Sequence, residues 1–414
     1  MRRRTTLAAI DVGTTKVAVV VGDTGESGET RILGFGVAPA AGLARGVIDN
    51  IQSAREAISI AVQKAEQSCG MRILSAVVGV SGNHIASQNN RGIVAIPDRS
   101  RPISADDKAR VVETAGQISI PTNRQVLHVV PRGYWIEGTD PVSDPLGMYG
   151  ARLDAETHIV TGAVSAIQNL TKCVEGAGVQ VDALVLESLA SGTAVLEYQE
   201  RLQGVACVDI GGGTTTMAVY DEGAIAHTAV LPIAGSHLTH DLARMLRCPW
   251  ESAEAVKCSV GAAIGGPALA HETVEIQAFG LQSQKHIPLM HICDILQART
   301  EEILDVVALE LKRSGYFDRI AAGVVFTGGS SQLRGLADLA ELRLGIPARI
   351  GHPHGYNGMS ELIGSPSYAT SIGLVEYALG GGERVAESPS AGFEIPVGGI
   401  FRRLASMGRA FMPQ

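Results

Sequence analysis

The 414-residue sequence has no C-x-x-C pair, and its six cysteines (Cys69, Cys173, Cys207, Cys248, Cys258 and Cys293) are scattered. That spacing excludes a zinc ribbon or a disulfide framework and predicts small buried residues of a reducing cytosol. No run approaches the roughly 20 apolar residues needed to cross a bilayer. The basic start, Arg2 to Arg4, leads into a short apolar strand that meets Asp11, so a signal peptide is not expected. Positive charge is not in excess either. The net charge is −8, which argues against a dedicated nucleic-acid binder. A carboxylate-rich acceptor motif, which a sugar-type kinase would need for its substrate hydroxyl, is missing as well.

What is present is a 45% apolar chain, enough for more than one full core. Its organising stretch is V-A-C-V-D-I-G-G-G-T-T-T-M-A-V-Y, residues 205–220. An apolar strand ends at Asp209, three glycines and three threonines make a tight turn, and a second apolar strand leads away. Gly211, Gly212 and Gly213 carry no Cβ, so backbone N–H groups can approach an anion, with Thr214 and Thr215 adding hydroxyls. Asp209 would repel phosphate and suits a hydrated metal ion instead. A single such hairpin can equally be a polar turn. This one has a counterpart in residues 7–23, L-A-A-I-D-V-G-T-T-K-V-A-V-V-V-G-D, where Asp11, Gly13, Thr14 and Thr15 repeat the pattern 198 residues earlier. The repeat describes two halves of one fold clamping a nucleotide. Lys16, at the turn exit, can reach a terminal phosphate.

Further along, Ile32 to Ala38 reads as a third strand, 42–47 as a loop, and Asp49 as the cap of a helix through Gln67. A buried strand follows at 74–80. Residues 84–162 change texture and read as a small α/β insertion. Its 91–102 stretch is polar, 104–117 is a helix, and 126–136 and 153–164 are strands. His128 and His158 read as strand residues, not ligands. Beyond the insertion come a helix at 165–178, a strand at 181–186 and a helix at 187–198. After the second hairpin, a strand at 224–233 leads to helices at 236 onward, 250–262 and 291–314, around a strand segment at 267–286. Glu254 and Lys257 share one helix face, where a plain surface ion pair is worth a few tenths of a kcal/mol at most. A buried strand then runs into Gly328 and Gly329, with a helix starting near Ser331, an arrangement suited to a flat or anionic ligand. Residues 366–379 read as a helix rich in small side chains that can pack closely on another element.

Composition breaks after Leu379. Residues 380–396 read as a flexible tether. It ends in an amphipathic stretch with Ile400, Phe401, Leu404, Met407 and Phe411 on one face and Arg402, Arg403 and Arg409 elsewhere. The arginines favour an anionic lipid surface. One copy binds weakly, which implies many copies acting together.

These residues resemble the actin, Hsp70 and sugar-kinase superfamily and, more closely, the FtsA family of bacterial cell-division proteins. The motifs that carry the resemblance are D-V-G-T-T-K (11–16), A-G-L-A-R-G-V-I-D-N (41–50), V-G-V-S-G-N-H (78–84), G-M-Y-G-A-R-L (147–153), V-D-I-G-G-G-T-T (208–215) and V-V-F-T-G-G (324–329), together with the tethered tail. The resemblance implies an α/β, actin-like ATPase fold: two related lobes around a nucleotide cleft, an inserted α/β subdomain and a C-terminal amphipathic helix. It implies a first lobe from 1–83 with 164–190 and 366–379, an insertion at 84–163, a second lobe from 191–235 and 320–365, and a subdomain at 236–319. A linker at 380–398 and a membrane helix at 399–414 complete the chain. It implies ATP and Mg2+ as ligands, with Asp11 and Asp209 on the metal, Gly235, Glu254, Lys257, Gly328 and Gly329 around the nucleoside, and Glu187 orienting the attacking water with help from Thr214. Ser188 and Thr216 depart from the superfamily pattern and bear on hydrolysis. The implied partners are the C-terminal peptide of FtsZ, with Arg299 pairing a peptide carboxylate or remaining a solvated helix residue, further copies in a filament, anionic lipids and other division proteins. The implied location is the cytoplasmic face of the cell membrane at the division septum. The chain is too short for the peptide-binding domain of an Hsp70-type chaperone.

Overall fold

The fold is taken from a computed structural model, which describes residues 6–25, 29–266, 271–280 and 284–381. Two sheets dominate it, and they repeat one topology. In the first, strands Thr6–Val12, Lys16–Thr24 and Thr30–Pro39 run as an antiparallel meander. Ser75–Val80 pairs parallel to the opening strand, and Gln180–Leu186 pairs parallel to Ser75–Val80. In the second, Val205–Ile210, Thr215–Asp221 and Ala224–Leu231 form the meander, and Val324–Thr327 and then Ala348–Ile350 extend it in parallel. The hairpin strands read as continuous apolar runs because both faces are covered by helices or by the other lobe.

Helix Ile51–Cys69 covers the first sheet through Ala54, Ile58, Ala61 and Ala65, so closely that the strand beneath it carries Gly36, whose Cβ would stand 2.2 Å from the Ala61 carbonyl oxygen. Its cap is Asn50, whose side chain accepts from the Ser53 amide, and not Asp49. The backbone decides this one-residue difference, because the Asp49 and Asn50 amides both donate to the Gly42 carbonyl. The 42–47 loop contains a two-residue ribbon, Leu43–Ala44 with Val47–Ile48.

The insertion is a four-stranded sheet covered by helix Ala105–Gly116, which the Ser104–Asp107 box caps. Its first strand, Ala86–Ala95, was not anticipated and runs into the stretch read only as polar, 91–102. The side chains of that strand are largely solvent-facing, so its polarity hid it. His128 and His158 are buried strand residues, as expected, and burial lowers them to about 4 and about 3, keeping both neutral.

Two helices cross between the sheets. The segment read as a single helix over 187–198 is helix Glu187–Val195 followed by a separate short helix, Tyr198–Gln203. Across it packs Ala369–Glu376, with a 3-10 turn before it and a wider π turn after it. A Cβ on Gly373 would lie 1.8 Å from the Ala190 carbonyl oxygen, so the crossing is as close as backbones allow. The helix expected near Ser331 is a 3-10 turn, Gly329–Gln332, and the α-helix starts at Leu336. Strands Thr273–Gln277 and Gln284–Pro288 form a ribbon beside helix Leu289–Ser314. Cys258 is exposed and Cys69 half-buried, against the expectation that all six cysteines are interior. No helix among the described residues is long and apolar enough to cross a membrane. The tail, including Ile400, Phe401, Arg402, Arg403, Leu404, Met407, Arg409 and Phe411, lies outside the described residues.

Candidate functional site

The two hairpin turns face each other. A Cβ on Gly212 would come within 2.4 Å of the Thr15 methyl, and one on Gly213 within 2.5 Å of Thr14 Oγ1. Thr14 and Thr15 therefore meet Gly213 and Gly212 across the turns, as the sequence repeat anticipates. The second turn is firmly tied. The Gly211 carbonyl accepts from the Gly235 amide at 3.0 Å and from Ser330 Oγ at 3.0 Å, and the Gly212 carbonyl accepts from the Ser236 amide at 2.8 Å. Thr215 Oγ1 donates to the Ile233 carbonyl at 2.6 Å. Thr214 is buried beside it.

Asp11 and Asp209 end the central strands of their sheets and converge below the turns. Burial pushes Asp11 up to about 6, opposed by a hydrogen bond from Ser371 and by Lys16, while Asp209 pushes the same way as burial. Burial also raises Asp209, against hydrogen bonds from Ser191 and Thr370. Gly328 has φ +85°, and a Cβ there would stand 2.2 Å from Asp209 Oδ1, so glycine is required for the carboxylate to sit where it does. Lys16 Nζ lies 3.7 Å over the Tyr368 ring. Burial lowers its pKa, while the two aspartates favour its charge. Glu187 opens the interlobe helix. Burial, then Asp11 and Asp209, hold its carboxyl well above the usual range.

Farther along the cleft, Lys257 Nζ donates to Glu254 Oε2 at 2.7 Å and to Thr239 Oγ1 at 2.8 Å, and Thr239 Oγ1 also donates to Glu254. The pair therefore belongs to a network that reaches the Gly235 carbonyl. Beside Gly328 and Gly329, a groove of about 330 Å³ is lined by Ser331, Gln332, Arg334, Ile350 and His352. Of these only Ser331 was anticipated. Arg299 lies away from the turns, on helix Leu289–Ser314, where its guanidinium pairs with Asp241 and Glu302 of its own chain. A peptide carboxylate would have to compete with those partners.

The residues at the turns fit a nucleotide held with a divalent cation. The close approach of the two turns at Gly212 and Gly213 leaves no room for a Cβ, and the two carboxylates beneath could carry the hydrated cation that a phosphate needs. Among the described residues no cluster of three or more His, Cys, Asp or Glu could hold a bare metal. A cation here would accordingly bind through water and phosphate oxygens, as magnesium prefers.

Sequence reasoning missed the hydroxyls behind the aspartates. Ser191 Oγ donates to Asp209 Oδ2 at 2.6 Å, Thr370 Oγ1 donates to the same oxygen at 2.9 Å, and Ser371 Oγ donates to Asp11 Oδ2 at 2.8 Å.

The family model "Cell division protein FtsA" matches residues 206–373, and "SHS2 domain inserted in FTSA" matches residues 82–161. The cell division protein FtsA of Pseudomonas aeruginosa is 42% identical over 373 residues, covering 90% of this chain and 89% of the relative. The Neisseria meningitidis protein is 38% identical with 90% of each chain covered, and the Bacillus subtilis protein is 35% identical over 89% of this chain and 82% of its own. Among solved structures, the PilM-PilN type IV pilus biogenesis complex superposes with a TM-score of 0.62 at 18% identity, covering 91% of this chain and 99% of that one. MreB5 of Spiroplasma citri bound to AMPPNP superposes with a TM-score of 0.52 at 15% identity, covering 89% and 94%. The fold is thus actin-like, with the SHS2 domain inserted after Ser75–Val80.

Proposed function

The chain belongs to the FtsA family of cell division proteins, and from that premise we propose that it binds ATP with Mg2+ between its lobes, polymerises, and tethers the FtsZ ring to the cytoplasmic face of the membrane at the septum. One observation carries the nucleotide reading: two related glycine turns meet tip to tip above two converging aspartates. The turn amides and Lys16 hold the phosphates, Asp11 and Asp209 hold water molecules of the cation, and Glu254, Lys257, Gly235, Gly328 and Gly329 frame the nucleoside. When bound, the magnesium neutralises phosphate charge. Glu187, with Thr214 beside the turn, is placed to orient a water, and turnover is slow and acts as a switch.

Closure on nucleotide favours one arrangement of the lobes, and that arrangement favours self-association through the insertion and the outer faces. Residues 399–414 then act in many copies on anionic lipid, each worth about 1 kcal/mol per basic residue near the surface. The subdomain at 236–319 takes the acidic, apolar tail of FtsZ, with Arg299 exchanging Asp241 or Glu302 for a peptide carboxylate. The insertion faces other division proteins.

The test is co-sedimentation with anionic liposomes, with and without ATP and with and without FtsZ. The expected result is ATP-enhanced pelleting that recruits FtsZ and is lost when residues 399–414 are deleted. Pelleting unchanged by the deletion would refute the anchor, and FtsZ left in the supernatant would refute the tether.

A further inference from the structure

Thr370 and Ser371 are neighbours on one helix, yet they serve different sheets. Successive residues of a helix point about 100° apart, and here that rotation sends Thr370 Oγ1 to Asp209 of the second sheet and Ser371 Oγ to Asp11 of the first. From the other crossing helix, Ser191 Oγ reaches the same Asp209 oxygen and stands 2.8 Å from Thr370 Oγ1. Ser191 and Ser371 are fully buried, and Thr370 nearly so. Buried hydroxyls need acceptors and buried carboxylates need donors, so each constrains the other. The helices that carry them cannot slide freely, because Gly373 lies against the Ala190 backbone with no room for a Cβ.

We propose that Ser191, Thr370 and Ser371 form a hydroxyl bridge that positions both aspartates for the hydrated cation of a bound nucleotide and ties that geometry to the crossing of the interlobe helices. The three are positioning residues, since they touch the carboxylates and not the nucleotide. Each carboxylate keeps its other oxygen for water of the cation, because the hydroxyls occupy Oδ2 in both cases. A shift of one helix against the other pulls the donors from Asp209 and Asp11 together, so lobe closure and cation binding become one equilibrium.

This inference rests on the nucleotide reading above, and its test separates the two. Binding of a fluorescent ATP analogue is titrated with magnesium in the full chain, in Thr370→Val, in Thr370→Ser and in Ser371→Ala, alongside binding in EDTA and a thermal melt of each. Loss of a hydrogen bond to a charged group predicts that Thr370→Val and Ser371→Ala each raise the magnesium needed for half-maximal binding about tenfold. Thr370→Ser, which keeps the hydroxyl, should stay within about twofold, and binding in EDTA should change by less than about twofold in all of them. Should Thr370→Val fail to fold, Ser191→Ala removes the other donor to the same Asp209 oxygen and should likewise shift the midpoint about tenfold. Variants that titrate like the wild type overturn the bridge, as does Thr370→Ser behaving like Thr370→Val. A wild-type chain that binds no ATP with magnesium overturns the nucleotide reading and the bridge with it.

Discussion

The turn of the first lobe and the turn of the second are built on the same pair of strands but equipped differently. Around Asp11 stand titratable groups: Lys16 rests on the Tyr368 ring, and Glu187, its carboxyl held well above the usual range by burial, opens the helix that leaves the first sheet. Around Asp209 the chain is fixed instead. Its glycine turn is tied by the Gly235 and Ser236 amides and by Ser330, and two hydroxyls hold the carboxylate. The added elements differ too, since the first lobe carries its insertion after Ser75–Val80 and the second carries helices and a ribbon after Ala224–Leu231. Duplicated strands thus present the same pair of turns, one beside Lys16 and Glu187 and the other tied by a denser set of hydrogen bonds.

If chemistry belongs to the first side, Glu187→Gln should slow any ATP turnover by about 100-fold while ATP affinity stays within about twofold, as loss of a group that orients the attacking water predicts. Equal losses in turnover and affinity, measured by phosphate release and equilibrium binding, would break that division. If the second side is the rigid one, Gly328→Ala should cost about 30-fold in ATP affinity by displacing Asp209, because the new Cβ meets Oδ1 at 2.2 Å with φ at +85°. Gly13→Ala, whose Cβ finds its nearest neighbour at 3.0 Å, should cost less than about fivefold, and the ratio of the two measures the contrast. Lys16→Met should weaken ATP by about tenfold and flatten its salt dependence, as loss of one charge-assisted contact predicts.

The last effect is on stability. Burial pushes Glu376, at the end of the crossing helix, up to about 8, with Arg201 opposing. The folded chain therefore keeps a proton that the unfolded chain sheds, so this stabilisation is complete below the ordinary value of 4.5 and declines as pH rises through about 8. Glu376→Gln should remove up to about 1.4 kcal/mol per pH unit of that slope, read from denaturant melts across the window. A wild-type slope as flat as the variant's would show that Glu376 does not titrate there.

The turns were legible because an apolar strand, an aspartate and glycines recur in a fixed order, and the backbone alone makes their shape. The close helix crossing was legible in the small residues of A-T-S-I-G, which leave room for Ala190. The hydroxyl bridge was not, because its partners lie 18, 161 and 360 residues apart and a serine in a buried helix looks like any other. Strand Ala86–Ala95 hid for the opposite reason, since an exposed sheet face writes Q-N-N-R where a core would write valines.

Calorimetric titration of ATP with magnesium into the full chain, Asp11→Ala and Asp209→Ala tests most directly whether both turns grip one ligand. Each substitution alone should weaken binding by about 100-fold or more, because the carboxylates hold the same hydrated cation. Binding within threefold of the wild type in either variant would contradict the shared grip.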